Sequence, residues 1–104
     1  MIRWNGIEVD VNNRTVKNNG LVYTFRIYHN PNNRFKLFQH VLMMQPVTMK
    51  RLYEKLYGYT INGDPSPKCI EVMMSRLRLE MRQVGIEVKA EKNGTGYKHY
   101  WLEP

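Results

Sequence analysis

Arginine is the residue type with the clearest chemical meaning in this sequence, because it recurs within one short stretch. Arg76, Arg78 and Arg82 lie in the segment IEVMMSRLRLEMR. An arginine guanidinium presents its N–H donors as a planar fork, which pairs with a phosphate or, through two hydrogen bonds, with a guanine base. The stretch is therefore a candidate for contact with nucleic acid.

Catalytic and metal-binding chemistry has no comparable support. The isolated acidic residues make no convincing acid pair or triad; they are Glu8, Asp10, Glu54 and Asp64. His29, His40 and His99 lack the spacing of metal ligands, and the single cysteine, Cys69, excludes an internal disulfide framework and a cysteine metal cage. We therefore expect no catalytic residues, no metal and no cofactor, and we predict that the protein is not an enzyme.

Length and composition restrict the class of protein further. The chain has 104 residues, 42% of them hydrophobic, which suits one modest core and is too apolar for a disordered chain. No stretch approaches the ~20 consecutive apolar residues that span a membrane, and no apolar segment follows the first residues as in a secretory signal. The formal net charge of +7 favours a polyanion partner. We predict one domain over residues 1–104, in the cytoplasm and not at a membrane.

The N-terminal quarter alternates turn-forming sequences with β-forming segments. The turns are Asn5-Gly6, Asn12-Asn13 and Asn18-Asn19-Gly20, whose residues tolerate the positive φ of tight hairpins. The segments between them are Ile2 to Trp4, Ile7 to Val11, Thr15 to Lys17 and Leu21 to Phe25. This order predicts a four-stranded antiparallel sheet.

Two helices are predicted next. The breaker at 30–33 precedes a helix with one apolar face, made of Phe35, Phe38, Val41 and Leu42, and Gln45-Pro46 ends it. Thr48 can cap a second helix over 49–57, and Gly58 is a plausible stop.

A third helix carries the arginine stretch. Ser66 can cap it, Pro67 suits its first turn, and Gly85 stops it. Spacings of four and three predict a buried stripe of Ile70, Met74, Leu77, Met81 and Val84. A hairpin follows, with strands over 86–90 and 97–102 and a turn at Asn93-Gly94.

Three segments together resemble one known family. They are Pro46-Val47-Thr48 followed by Leu52, Leu56, Tyr57 and Gly58; Ile70-Glu71-Val72-Met73-Met74-Ser75-Arg76-Leu77-Arg78; and Asn93-Gly94-Thr95-Gly96-Tyr97-Lys98. With the N-terminal sheet, they resemble the second helix, recognition helix and wing of the OmpR/PhoB-type winged-helix DNA-binding domain of response regulators, over Trp4 to Leu102. The resemblance implies an α+β winged helix-turn-helix fold, with an N-terminal four-stranded antiparallel sheet, three helices and a C-terminal β-hairpin wing.

The resemblance also implies an interface with double-stranded DNA, in which the third helix enters the major groove and the hairpin reaches the adjacent minor groove. The family's contact positions fall on Lys68, Met73, Ser75, Arg76 and Arg78 in the helix and on Thr95, Tyr97 and Lys98 in the wing. On a helical wheel Lys68, Val72, Ser75 and Leu79 point away from the buried stripe, with Arg76, Arg78 and Arg82 flanking them.

The sequence allows more than one role for several of these residues. Val72 could contact a thymine methyl, and Ser75 a base or a phosphate. Lys50 and Arg51, at the start of the second helix, either contact phosphates or form a solvated helix face. Lys98 either contacts DNA or protects a strand edge.

Departures from the family pattern keep a second function open. Met73 replaces the usual histidine, Ser75 is uncharged where some members carry arginine, and Asn93 replaces the wing arginine, so base preference does not transfer. The family's usual receiver domain has no room in 104 residues, so we expect a stand-alone, nucleoid-associated transcriptional regulator. RNA polymerase or another regulator and a second copy of the chain remain candidate partners.

The alternative function is a winged-helix protein-interaction module, an inhibitor or adaptor with little specific DNA binding. It is motivated by Met73, by Asn93 and by the segment from Phe25 to Arg34, which is longer than the family's sheet-to-helix junction. Met43 and Met73 have neighbours that suggest partial exposure, and exposed methionine suits a protein partner.

Overall fold

The computed structural model describes residues 1–26, 33–57, 68–92 and 98–104. Its strands are β1 (Ile2–Trp4), β2 (Ile7–Asp10), β3 (Thr15–Asn18), β4 (Leu21–Thr24), β5 (Val47–Thr48), β6 (Glu87–Lys92) and β7 (Lys98–Glu103). Its helices are α1 (Asn33–Met44), α2 (Met49–Tyr57) and α3 (Lys68–Arg82). The predicted α+β class, N-terminal sheet, helices and C-terminal strand hairpin are therefore confirmed.

The N-terminal sheet pairs its strands antiparallel in the order β1-β2-β3-β4. Asn5 and Asn19 have positive φ, as do the glycines that follow them, so the first and third turns have the predicted chemistry. In the middle turn the positive φ falls on Arg14, because the Asp10 carboxylate accepts the backbone N–H groups of Asn12 and Asn13. A hydrogen bond from the Asn13 side-chain amide, together with these backbone hydrogen bonds, holds the pKa of Asp10 below its ordinary value.

The core lies between the inner face of this sheet and the helices. The sheet contributes Ile7, Val9 and Val16, each fully buried. The predicted apolar residues of the first and third helices are buried as well: Phe35, Phe38, Val41, Leu42, Ile70, Met74, Leu77, Met81 and Val84. The helical spacing in the sequence therefore identified the buried faces correctly.

A second sheet, in the order β5-β7-β6, joins the C-terminal hairpin to the helices. The strand β5 was not predicted, because two residues are too few to show a period. Its pairing with β7 is supported by Gln45, whose side-chain oxygen accepts the Leu102 N–H at 2.8 Å, next to a cis Gln45-Pro46 bond. The Thr48 hydroxyl accepts the Arg51 N–H at 3.1 Å, which confirms the predicted cap of α2.

The end of α3 is anchored to the N-terminal sheet. The buried Asn18 amide donates to the Val84 carbonyl at 2.8 Å, across 66 positions of sequence. Gly85 adopts a φ of 72°, and the Ile86 N–H donates to the Met81 carbonyl, as in a glycine-terminated helix. The hydrogen bond from Asn18 thus fixes the position of the end of α3 relative to the N-terminal sheet.

Some predicted features lie outside the described residues. They are most of the breaker at 30–33, Gly58, Ser66, Pro67 and the turn at Asn93-Gly94. Among the helices that the structure describes, none is long and apolar enough to cross a membrane.

Candidate nucleic-acid interface

One face of α3 is left uncovered by the rest of the fold. At its centre Val72 and Leu79 expose 54% and 62% of their surface, and Ser75 between them is exposed. The Ser75 hydroxyl donates to the Glu71 carbonyl one turn back, at 3.0 Å, so its oxygen remains an acceptor for an incoming group. The side chains at the centre are therefore short or apolar.

Arginines occupy both edges of this exposed face. Arg76 is exposed on the edge nearer the N-terminal sheet, where it lines a cavity with Tyr23. On the opposite edge Arg78 and Arg82 line a cavity shared with Lys89 of the hairpin. Arg82 is exposed, whereas Arg78 is half-buried and its Nε has no hydrogen-bond partner among the described residues. The predicted arginines therefore flank the apolar centre from two sides.

The start of α2 adds two further exposed cations. Lys50 and Arg51 follow the Thr48 cap, and Arg51 lies 4.0 Å from Glu54 through its Nη1. A contact at that distance between exposed groups contributes little, so both cations remain available to a partner. Their position at a helix N-terminus also suits an anion.

Two lysines of the hairpin, Lys89 and Lys98, lie close to acidic side chains. Lys98 lies 3.9 Å from Glu71 on α3. Lys89 lies 2.7 Å from Glu87 and 4.0 Å from Glu103, and the hydrogen bond to Glu87 raises the pKa of Lys89. These lysines therefore already have acidic neighbours on the protein.

The remaining predicted contact residues divide into two groups. Met73 is half-buried and packs against the core, which makes it a less accessible contact than Val72 or Ser75. Thr95 and Tyr97, and the side chain of Lys68, lie outside the described residues. Within the described part of the chain, no group of three or more histidine, cysteine, aspartate or glutamate side chains is placed to hold a metal ion.

A polar network beneath the arginine edge of α3 was not predicted from the sequence. Glu80 is 8% exposed and forms an ion pair with Arg34 of α1, whose Nε lies 2.5 Å from its Oε1. The Tyr23 hydroxyl of β4 donates to the other oxygen of Glu80. These side chains come from three elements and are up to 57 positions apart, so no local pattern could reveal them.

Burial of the Tyr23 ring, together with the hydrogen bond and negative charge of Glu80, raises the pKa of Tyr23 to about 12. Since an unfolded tyrosine ionises near 10, Tyr23 contributes stability that is complete below pH 10 and is lost as the pH rises toward about 12. We expect the urea midpoint of Tyr23→Phe to fall less than that of the wild type over this alkaline range. Parallel declines in the two proteins would contradict the raised pKa.

Comparisons of this chain with protein-family models, with curated proteins and with solved structures found no match.

Proposed function

We propose that this chain is a winged-helix protein that binds double-stranded DNA sequence-specifically and regulates transcription. In this proposal α3 enters the major groove and the hairpin of β6 and β7 lies toward the adjacent minor groove. The observation that carries the proposal is the exposed face of α3, which has an apolar and hydroxyl centre and arginines on both edges.

The dimensions of this face suit the major groove. A helix of 15 residues is about 22 Å long, and the groove, about 12 Å wide, admits one helix. Short side chains at the centre allow the helix to approach the base edges closely. Arginines at the edges then lie near the two phosphate backbones that border the groove.

Val72 and Leu79 suggest which bases are read. They lie seven residues apart, which corresponds to a separation of about 10.5 Å along the helix. Apolar side chains in the major groove contact the methyl group of thymine. We therefore propose that the preferred site contains thymines opposite these two side chains.

The test is selection of bound sequences from a random duplex pool, followed by affinity measurements at low salt. We expect a selected site with thymines in the reading positions. Replacing one such thymine by uracil removes only its methyl group and should weaken binding by ~0.8 kcal/mol, or about fourfold. A thymine outside the site serves as the control. Absence of duplex binding by the wild type at low salt would refute the proposed function.

A protein-interaction module is the second candidate, and specific exposures favour it. Met43 on α1 is 71% exposed, and the apolar centre of α3 would also suit a protein partner. A stable protein complex that survives nuclease treatment and the Arg76→Ala substitution would support this alternative over DNA binding.

A further inference from the structure

Three arginines from separate parts of the chain line one open cavity beside α3. Arg26 follows β4, Arg34 lies in α1 and Arg76 lies in α3, and the cavity they share has a volume of about 370 Å³. The other lining residues are Tyr23, Leu79, Glu80 and Gln83. The cavity thus borders the exposed face of α3 on the side of the N-terminal sheet.

The arginines of the lining outnumber its acidic residues, so the described lining has a net positive charge. Among the described residues of the lining Glu80 is the only acidic one. Arg34 pairs with one of its oxygens, and Tyr23 donates a hydrogen bond to the other. Arg26 and Arg76 are exposed, and neither forms an ion pair with any residue in the described ranges. Two cations therefore face a cavity without a counter-ion from that part of the protein.

The side chains of the lining are suited to binding a phosphate group. Guanidinium groups bind phosphate through paired N–H donors, and the exposed amide of Gln83 can donate one more hydrogen bond. The neighbouring cations repel each other, and a bound anion would relieve that repulsion. Because the cavity is open, it suits one charged group of a large ligand.

We propose that this cavity binds a backbone phosphate of the DNA strand that borders α3 on the side away from the hairpin. The proposal rests on the proposed function. A helix in the major groove has one phosphate backbone along each side, and on the hairpin side Arg78 and Arg82 line a cavity in which Lys89 is already paired with Glu87. The cavity supplies cations on the other side of the helix. Two of its residues, Arg76 and Leu79, also belong to the exposed face of α3.

Arg26→Gln is the variant that tests the site, because Arg26 donates no hydrogen bond to Glu80 and forms no ion pair with it, and only its charge acts on Tyr23 of that network. Arg3→Gln, which removes the same charge from β1, is the matched control. Neutralising one phosphate contact is expected to lower the slope of log affinity against log salt by about 0.9. We expect this reduction for Arg26→Gln on selected and unrelated duplexes alike, and no such change for Arg3→Gln.

A second measurement locates the contact. Duplexes in which single phosphates are replaced by neutral methylphosphonates should include one, at the flank of the site, that the wild type binds about two- to fivefold more weakly. That is the fold-change expected from the loss of one exposed charge pair. That same replacement should leave the affinity of Arg26→Gln unchanged.

The outcomes separate the two proposals. If the wild type binds duplex DNA and Arg26→Gln binds with the same salt slope, the phosphate site is wrong and the proposed function stands. If Arg26→Gln binds more weakly but no single phosphate replacement reproduces its effect, the role of Arg26 is indirect and the site is again wrong. If the wild type does not bind duplex DNA, both proposals fail together.

Discussion

Replacing Glu80 with alanine is expected to lower the free energy of unfolding by about 3 kcal/mol. The substitution leaves the Arg34 guanidinium, with only 22% of its side chain exposed, without the carboxylate that it pairs with. It also removes the acceptor of the Tyr23 hydroxyl. Because these partners belong to α1 and β4, the loss should weaken the attachment of α3 to both elements. Urea denaturation of the wild type and the variant measures the difference.

A combined variant distinguishes loss of the network from loss of packing. In Tyr23→Phe/Arg34→Met/Glu80→Leu all three polar groups are replaced together by apolar side chains of similar size, which often costs little or even stabilises a protein. We expect this triple variant to be more stable than Glu80→Ala. A loss below about 1 kcal/mol for Glu80→Ala would show that the network contributes no more than an exposed ion pair.

Introducing a carboxylate at the centre of the exposed face should abolish specific DNA binding while the fold is retained. In Leu79→Glu the new charge would face the base edges between two phosphate backbones. Juxtaposed like charges cost several kcal/mol, so we expect affinity to fall by at least about 30-fold. Leu79 is 62% exposed, and substitution of such a residue usually changes stability by no more than about 0.5 kcal/mol.

Val22→Glu is the matched control for this prediction. Val22 is 56% exposed on β4, and it pairs with Lys17 on the outer face of the sheet, away from the core on which α3 packs. The same change of charge there should reduce affinity far less. Gel-shift or fluorescence titrations with the selected duplex measure both variants. Equal losses of affinity in the two variants would mean that the effect comes from net charge and not from contact between the exposed face of α3 and the bases.

Local patterns in the sequence were sufficient for most of the secondary structure. The spacing of Ile70, Met74, Leu77 and Met81 places them on one side of a helix whatever surrounds it, and all are buried. The asparagine–glycine turns likewise depend on the φ preferences of adjacent residues. The middle turn differed because the Asp10 side chain placed the positive φ on Arg14.

The candidate site could be predicted only in part. A helical wheel, which separates exposed from buried positions, predicted the arginines of α3, and the position of Lys50 and Arg51 at the start of a helix predicted the cations of α2. Met73 was assigned to the contact set by family resemblance, yet it packs against the core. The strand β5 was missed, since its two residues become a strand only by pairing with β7.

Composition and residue spacing within a few turns account for the α+β elements, the buried stripe of α3 and the excess of positive charge. The residues that meet from distant parts of the chain follow instead from how the elements pack together. Arg26, Arg34 and Arg76 come together because β4, α1 and α3 pack around a shared core, and Glu80 is buried against Arg34 for the same reason. Contacts across 40 to 60 positions follow from packing, which no local pattern encodes.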